Sequence, residues 1–279
     1  MSEPIRLAIS TCPNDTFAFH AILKDRIDLR GLNFEIRLLD ISELNDGLLS
    51  GEFDVAKCSF HAALKIANEY VVLPSGSALG FGNGPLLLAG CKDAVPASKE
   101  QLTLCPGPNT TATLLFRLFH NCTRVEHQVF SEIMPALESG NADFGVCIHE
   151  GRFTYQNSGL YLVEDLGKRW EQETQCPLPL GGIVARKNLP PDQIAVVQSL
   201  IHESIRYAMA NREETIPTMR EYAQEFDDAV LFKHVDLYVN QWTQDLGEVG
   251  AQTIRRFNEL AIERLGMDSA YLLQIFGNC

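Results

Sequence analysis

Short apolar runs alternate with amphipathic stretches along the chain, a pattern typical of an α/β protein. Residues 5–10 form an apolar run that predicts a buried parallel strand, and residues 31–39 alternate as a strand with one polar face. The longest amphipathic stretch, residues 192–211, follows two prolines and predicts a long helix. Further helices are expected over residues 16–24, 42–49, 110–120, 131–139, 213–225 and 247–265.

The chain also contains an internal repeat. Residues 42–58 align without gaps with residues 131–147, and each copy predicts a helix that begins at Ser-Glu, ends at Ser-Gly and leads into a strand. Two similar α/β lobes in one chain predict a ligand-binding cleft between them. The identical pairs are Ser42/Ser131, Glu43/Glu132, Leu48/Leu137, Ser50/Ser139, Gly51/Gly140, Asp54/Asp143 and Cys58/Cys147.

The repeat and its flanking elements predict a division into two lobes. Residues 1–93 are expected to form the first part of lobe 1, residues 94–186 to form lobe 2, and residues 187–279 to return to lobe 1 as helices. The chain would cross between the lobes near 90–97 and 181–188. Paired crossings of this kind permit the lobes to close over a ligand.

Composition narrows the classes of partner. A formal net charge of −13 argues against nucleic acid and against an anionic membrane surface. The eight cysteines show no C-x-x-C or zinc-ligand spacing, and no P-loop or dinucleotide-binding motif is present. No signal peptide and no apolar stretch of ~20 residues is evident. We therefore expect a cytoplasmic protein with a small-molecule ligand and without metal or organic cofactor, and leave its oligomeric state open.

Two Pro-Asn-x-Thr turns, at residues 13–16 and 108–111, precede predicted helices. The first N–H groups of a helix lack partners within the helix and favour an anion, such as a carboxylate or phosphate. In the second turn, Thr111 adds a hydroxyl and Ala112 a further N–H, so a contact with a ligand is expected there. Simple capping of the helix is the alternative, and whether Asn14, Thr16 or Thr110 contacts a ligand stays open.

The end of a strand in each repeat carries polar residues. The first of these strands ends with Lys57, Cys58 and Ser59. Lys57 can neutralise an anion, and Ser59 can donate a hydrogen bond to it. The alternative is that the Lys57 side chain only extends to the solvent-exposed surface. His149 follows the equivalent strand, and histidine suits acid–base chemistry near neutral pH. His61 is a weaker candidate, and the remaining histidines are assigned no chemistry. The glycine-rich residues 76–84 form either a hairpin or a loop close to a ligand.

Several motifs together resemble the 1,4-dihydroxy-6-naphthoate synthase family of the futalosine route to menaquinone. The resemblance covers nearly the whole chain and is specific in combination. The motifs are S-T-C-P-N-D-T-F at residues 10–17, L-P-S-G-S-A-L-G at 73–80 followed by G-P-L at 84–86, P-G-P-N-T-T-A at 106–112, I-H-E-G-R-F-T-Y at 148–155, and E-Q-E-T at 171–174 followed by L-P-L-G at 178–181.

This resemblance implies a two-lobed, type II periplasmic-binding-protein-like fold with a cleft between the lobes and no cofactor. It implies a lyase that cleaves cyclic dehypoxanthine futalosine to 1,4-dihydroxy-6-naphthoate and releases dihydroxyacetone. His149 would be the proton acceptor. Substrate would be bound by Lys57, Cys58 and Ser59 from lobe 1, with Cys58 contributing its backbone, and by Thr111 and Ala112 from lobe 2. A cytosolic solute-binding protein without catalysis and the related chorismate dehydratase are the alternatives.

Overall fold

The computed structural model describes residues 3–148, 151–223, 227–268 and 272–277. Within them, the strands form two mixed sheets. In chain order, the strands are β1 (Ile5–Ser10), β2 (Phe34–Leu39), β3 (Val55–Ser59), β4 (Tyr70–Val72), β5 (Ala78–Gly80), β6 (Leu86–Ala89), β7 (Leu102–Cys105), β8 (Arg124–His127), β9 (Phe144–Cys147), β10 (Tyr161–Asp165) and β11 (Leu178–Arg186).

Within the described residues, the α-helices pack around these sheets. They are α1 (Pro13–Ala18), α2 (His20–Leu23), α3 (Ile41–Leu49), α4 (Phe60–Lys65), α5 (Thr111–Phe119), α6 (Phe130–Glu138), α7 (Gly151–Thr154), α8 (Leu166–Thr174), α9 (Pro191–Ala210), α10 (Ile216–Tyr222), α11 (Asp228–Tyr238), α12 (Gln241–Gln244) and α13 (Gly247–Leu265). A short 3-10 helix, Arg212–Thr215, precedes α10. The predicted bounds of the two long helices, α9 and α13, are confirmed within one residue, whereas α8, α11 and β10 were not predicted.

The two sheets have the same strand order. The first runs β2-β1-β3-β11-β4, with β5 also paired to β11, and the second runs β8-β7-β9-β6-β10. In each, the first three strands are parallel and the fourth is antiparallel to the third. The copies of the repeat form α3 with β3 in the first sheet and α6 with β9 in the second. The predicted duplication is therefore confirmed as two equivalent units.

The chain passes between the sheets at other positions than predicted. Strand β6 lies in the second sheet and β11 in the first, so the passages fall within residues 81–85 and 166–177. The predicted crossings near 90–97 and 181–188 are corrected accordingly. The physical reason is that β6 and β11 each join the sheet that does not contain the preceding strand of the chain. Their apolar sequences do not indicate which sheet they join.

One hydrophobic core joins the two sheets. Fully buried residues of the first half, such as Phe60, pack in the same cluster as Phe116 and Phe144 of the second half and Phe257 of α13. A second core lies on the other face of the first sheet, where alternate residues of β1 pack with the apolar face of α9. The first core therefore contains residues from both halves of the chain.

Candidate functional site

A cavity of about 120 Å³, open to solvent, lies between the two sheets. It is bordered by the carboxyl ends of β1 and β3 and by the N-terminus of α5, the end of an α/β sheet where ligands bind. The structure brings the described residues of the predicted site together around this cavity. They are Lys57, Cys58, Ser59, Thr111 and Ala112.

His149, the predicted proton acceptor, lies outside the described residues. Its described neighbours Ile148 and Arg152 both line the cavity. Arg152 donates from Nη2 to Oδ2 of Asp165 at 2.7 Å, and this ion pair is largely buried. The strand β9 that precedes His149 is thus directed at the same cavity as β3.

Lys57 is part of a buried ion pair. Its Nζ donates to Oδ1 of Asp15 at 2.7 Å and to the carbonyl oxygen of Gly76 at 3.1 Å. Lys57 is 5% exposed and Asp15 is 3% exposed, so water screens the pair little. The alternative of a lysine that reaches the surface is therefore wrong. The charge of Lys57 is nevertheless matched by Asp15, and an anionic ligand would meet a nearly neutral pair with one ammonium N–H still able to donate.

Cys58 and Ser59 differ in what they offer a ligand. Cys58 is fully buried, and burial raises the pKa of its thiol to about 12, so it remains a neutral thiol at physiological pH. Ser59 exchanges hydrogen bonds with the side chain of Asn45, which accepts from the Ser59 N–H at 3.0 Å and donates to its Oγ at 3.2 Å. Because Oγ of Ser59 is the acceptor there, its own hydrogen remains available to a ligand.

The second Pro-Asn-x-Thr turn leads into α5, as predicted. Oγ1 of Thr110 accepts from the N–H of Thr113 at 3.3 Å and so caps the helix. The hydroxyl of Thr111 donates to the carbonyl oxygen of Leu180 in β11 at 2.6 Å, which connects α5 to the first sheet. The first N–H groups of the helix, including that of Ala112, have no partner within it. Capping and an anion-binding N-terminus are therefore both compatible with this turn.

This turn is also held by the first half of the chain. Nζ of Lys65 donates to Oδ1 of Asn109 at 2.6 Å, and Nδ1 of His61 donates to the carbonyl oxygen of Thr110 at 3.1 Å. Burial, together with the nearby charge of Lys65, lowers the pKa of His61 to about 4. His61 is thus neutral at pH 7, and its described contact holds α5 against α4.

Sequence reasoning missed one histidine of the cavity. Nε2 of His234, in α11, lies 3.0 Å from Oδ1 of Asn14, and both residues line the cavity. Asn14 donates from Nδ2 to Oδ1 of Asp15 at 2.9 Å, and a carboxylate can only accept. The amide oxygen of Asn14 therefore faces His234, and Nε2 of His234 carries the hydrogen. No local pattern around His234 distinguishes it from a residue of an ordinary amphipathic helix.

The described residues contain no group of three or more His, Cys, Asp or Glu side chains that could hold a metal ion. Among the same residues, no helix combines the length and apolar composition needed to cross a membrane.

Comparison with known proteins assigns the chain to a family. A family model described as menaquinone biosynthesis matches residues 5–263. The chain belongs to the menaquinone biosynthesis family. A relative from Streptomyces coelicolor named 1,4-dihydroxy-6-naphtoate synthase is 38% identical over 260 residues, which cover 91% of each chain. A relative of the same name from Thermus thermophilus is 38% identical over 254 residues, which cover 91% of this chain and 92% of the relative.

Solved structures resemble this member of the family over at least 95% of its length. A protein from Archaeoglobus fulgidus has a TM-score of 0.88 at 28% identity, over 95% of this chain and 98% of that one. The periplasmic aliphatic sulphonate binding protein of Escherichia coli has a TM-score of 0.63 at 13% identity, over 100% of this chain and 96% of that one. The expected periplasmic-binding-protein-like fold is confirmed; at this identity, the second likeness concerns the fold alone.

Proposed function

We propose that this chain is a 1,4-dihydroxy-6-naphthoate synthase, a carbon–carbon lyase that cleaves cyclic dehypoxanthine futalosine and releases dihydroxyacetone. The observation that carries the proposal is the convergence of Lys57, Cys58, Ser59, Thr111 and Ala112 on one cavity between the sheets. Two relatives at 38% identity are named for the same product. All seven cysteines in the described residues are free thiols, which supports a location in the reducing cytoplasm.

The cavity suits an aromatic carboxylate. Ile41, Ile148 and Leu180 provide apolar lining for a flat ring. The carboxylate would bind the N–H groups at the start of α5, helped by the helix dipole. Ser59 and Lys57 would each add one donor, and because Asp15 already matches the charge of Lys57, the helix N-terminus would provide most of the attraction.

The reaction needs a base that removes a proton from the sugar-derived part of the substrate, and His149 is proposed for that role. Ile148 and Arg152 line the cavity on either side of it in the sequence, which supports the assignment. Formation of the aromatic ring supplies the driving force. The protein then contributes positioning, the base and exclusion of water, of which positioning can lower a barrier by several kcal/mol.

Incubation with cyclic dehypoxanthine futalosine tests the proposal by the absorbance of the naphthoate product. The His149→Asn variant should lose about 10²–10⁴-fold in turnover, the usual contribution of a general base. The wild-type rate should also fall as the pH drops below the pKa of His149, since only the neutral imidazole accepts a proton. Near-normal turnover by His149→Asn would remove His149 from the mechanism, and binding without turnover by the wild type would favour a solute-binding protein.

A further inference from the structure

The segment that passes from β5 to β6 carries a buried carboxamide. Asn83 is 3% exposed and lines the cavity between the sheets. Its Nδ2 and Oδ1 are both buried, and neither has a hydrogen-bond partner among the residues that the structure describes. Such groups are uncommon in folded proteins, because a buried polar atom gives up its bonds to water and normally regains them within the protein.

The backbone on both sides of Asn83 is held in place. The N–H of Gly82 donates to Oε1 of Glu171 at 2.6 Å, and the carbonyl oxygen of Gly84 accepts from Nη1 of Arg152 at 2.5 Å. A Cβ added to Gly80 would lie only 2.4 Å from Nδ2 of Asn83, so the glycine leaves room for the carboxamide. The surrounding chain therefore holds Asn83, with its unsatisfied amide, in the lining of the cavity.

We propose that Asn83 binds the hydroxyl groups of the sugar-derived part of the substrate, an inference that rests on the proposed function. A carboxamide presents an acceptor and two donor hydrogens, and hydroxyl groups both donate and accept, so a pair of neighbouring hydroxyls satisfies both of its polar atoms. A carboxylate can only accept, which would leave Oδ1 of Asn83 unsatisfied. An aromatic ring would satisfy neither atom. Asn83 thus determines specificity for the hydroxylated part of the ligand.

The Asn83→Leu variant tests this inference through two measurements with opposite signs. Leucine has a similar size and no polar atoms, so the ligand-free variant should unfold at a temperature about 2–4 °C above that of the wild type. The kcat/KM for cyclic dehypoxanthine futalosine should fall by about 10- to 100-fold, since the substrate hydroxyls lose their partner. The affinity for 2-naphthoic acid, an aromatic carboxylate without hydroxyls, should stay the same.

Asn258 provides a matched control away from the cavity. Its Nδ2 donates to the carbonyl oxygen of Leu273 and its Oδ1 accepts from the N–H of the same residue, both at 3.2 Å. The Asn258→Leu variant should therefore unfold at a lower temperature than the wild type, with kcat/KM unchanged. The contrast separates an amide that is satisfied by the protein from one that is satisfied by the ligand.

A ligand-free Asn83→Leu protein less stable than the wild type would overturn the inference, as would an unchanged kcat/KM or an equal loss of affinity for 2-naphthoic acid. If that variant does not fold, Asn83→Ala supplies the kinetic and 2-naphthoic acid measurements. A wild-type protein that does not convert the substrate would instead overturn the proposed function and, with it, the assignment of the sugar hydroxyls. The stability measurement would then decide separately whether the amide lacks a partner within the protein.

Discussion

The buried pair of Lys57 and Asp15 makes a quantitative prediction about stability. Asp15 accepts from Nζ of Lys57 at 2.7 Å, from Oγ of Ser10 at 2.6 Å and from Nδ2 of Asn14 at 2.9 Å. The Asp15→Asn substitution keeps the shape of the side chain and removes its charge, which leaves a buried ammonium group without a counter-ion. Breaking a buried pair in this way costs about 3–5 kcal/mol of unfolding free energy.

A double-mutant cycle measures how much of that cost belongs to the pair. Urea unfolding at pH 7 would be followed for the wild type, Asp15→Asn, Lys57→Met and the double variant. Each single variant leaves one buried polar group unpaired, so the double variant should be less destabilised than the sum of the two, with a coupling energy of about 1–3 kcal/mol.

The exposed pair of Lys24 and Glu221 is the control for this cycle. Its nitrogen and oxygen lie 2.8 Å apart, a geometry close to that of the buried pair, but the side chains are 37% and 48% exposed. The Glu221→Gln variant should lose no more than about 1 kcal/mol. Additive effects of Asp15→Asn and Lys57→Met within about 0.5 kcal/mol would refute the argument, because they would show that the two charges do not stabilise each other in the folded protein.

Two further predictions concern the contact between α5 and the first half of the chain. The Thr111→Val variant should lose about 1–3 kcal/mol of unfolding free energy, since the Leu180 carbonyl oxygen loses its donor, whereas Thr111→Ser should retain most of the wild-type stability; equal urea midpoints for both variants would contradict this. The pKa of His61 is about 4 in the folded protein, below its ordinary value of 6.5, so protonation favours the unfolded chain. The stability that neutral His61 contributes is therefore complete above pH 6.5 and is lost as the pH falls toward 4, by up to about 3 kcal/mol. Urea unfolding between pH 7 and pH 4 should show a shallower decline for His61→Gln than for the wild type, and parallel declines would contradict the assignment.

Local patterns in the sequence determined much of the architecture. The apolar runs predicted β1 and β3, two prolines marked the start of α9, and the repeat predicted two equivalent units. These features depend on residues close together in the chain, where periodicity and capping act. The predicted ligand-binding residues also converge on one cavity, because equivalent strand ends of two facing sheets meet there.

Which distant segments of the chain meet depends on the folded arrangement as a whole. Strand β6 lies in the second sheet and β11 in the first. Their apolar sequences fit either sheet, because burial on both faces does not indicate which strand lies alongside. Lys57 pairs with Asp15, and His234 meets Asn14 across 220 positions of the chain. The unsatisfied amide of Asn83 is likewise a property of its surroundings. Charge pairing, hydrogen-bond satisfaction and burial depend on the packed arrangement of the whole chain, which no local periodicity encodes.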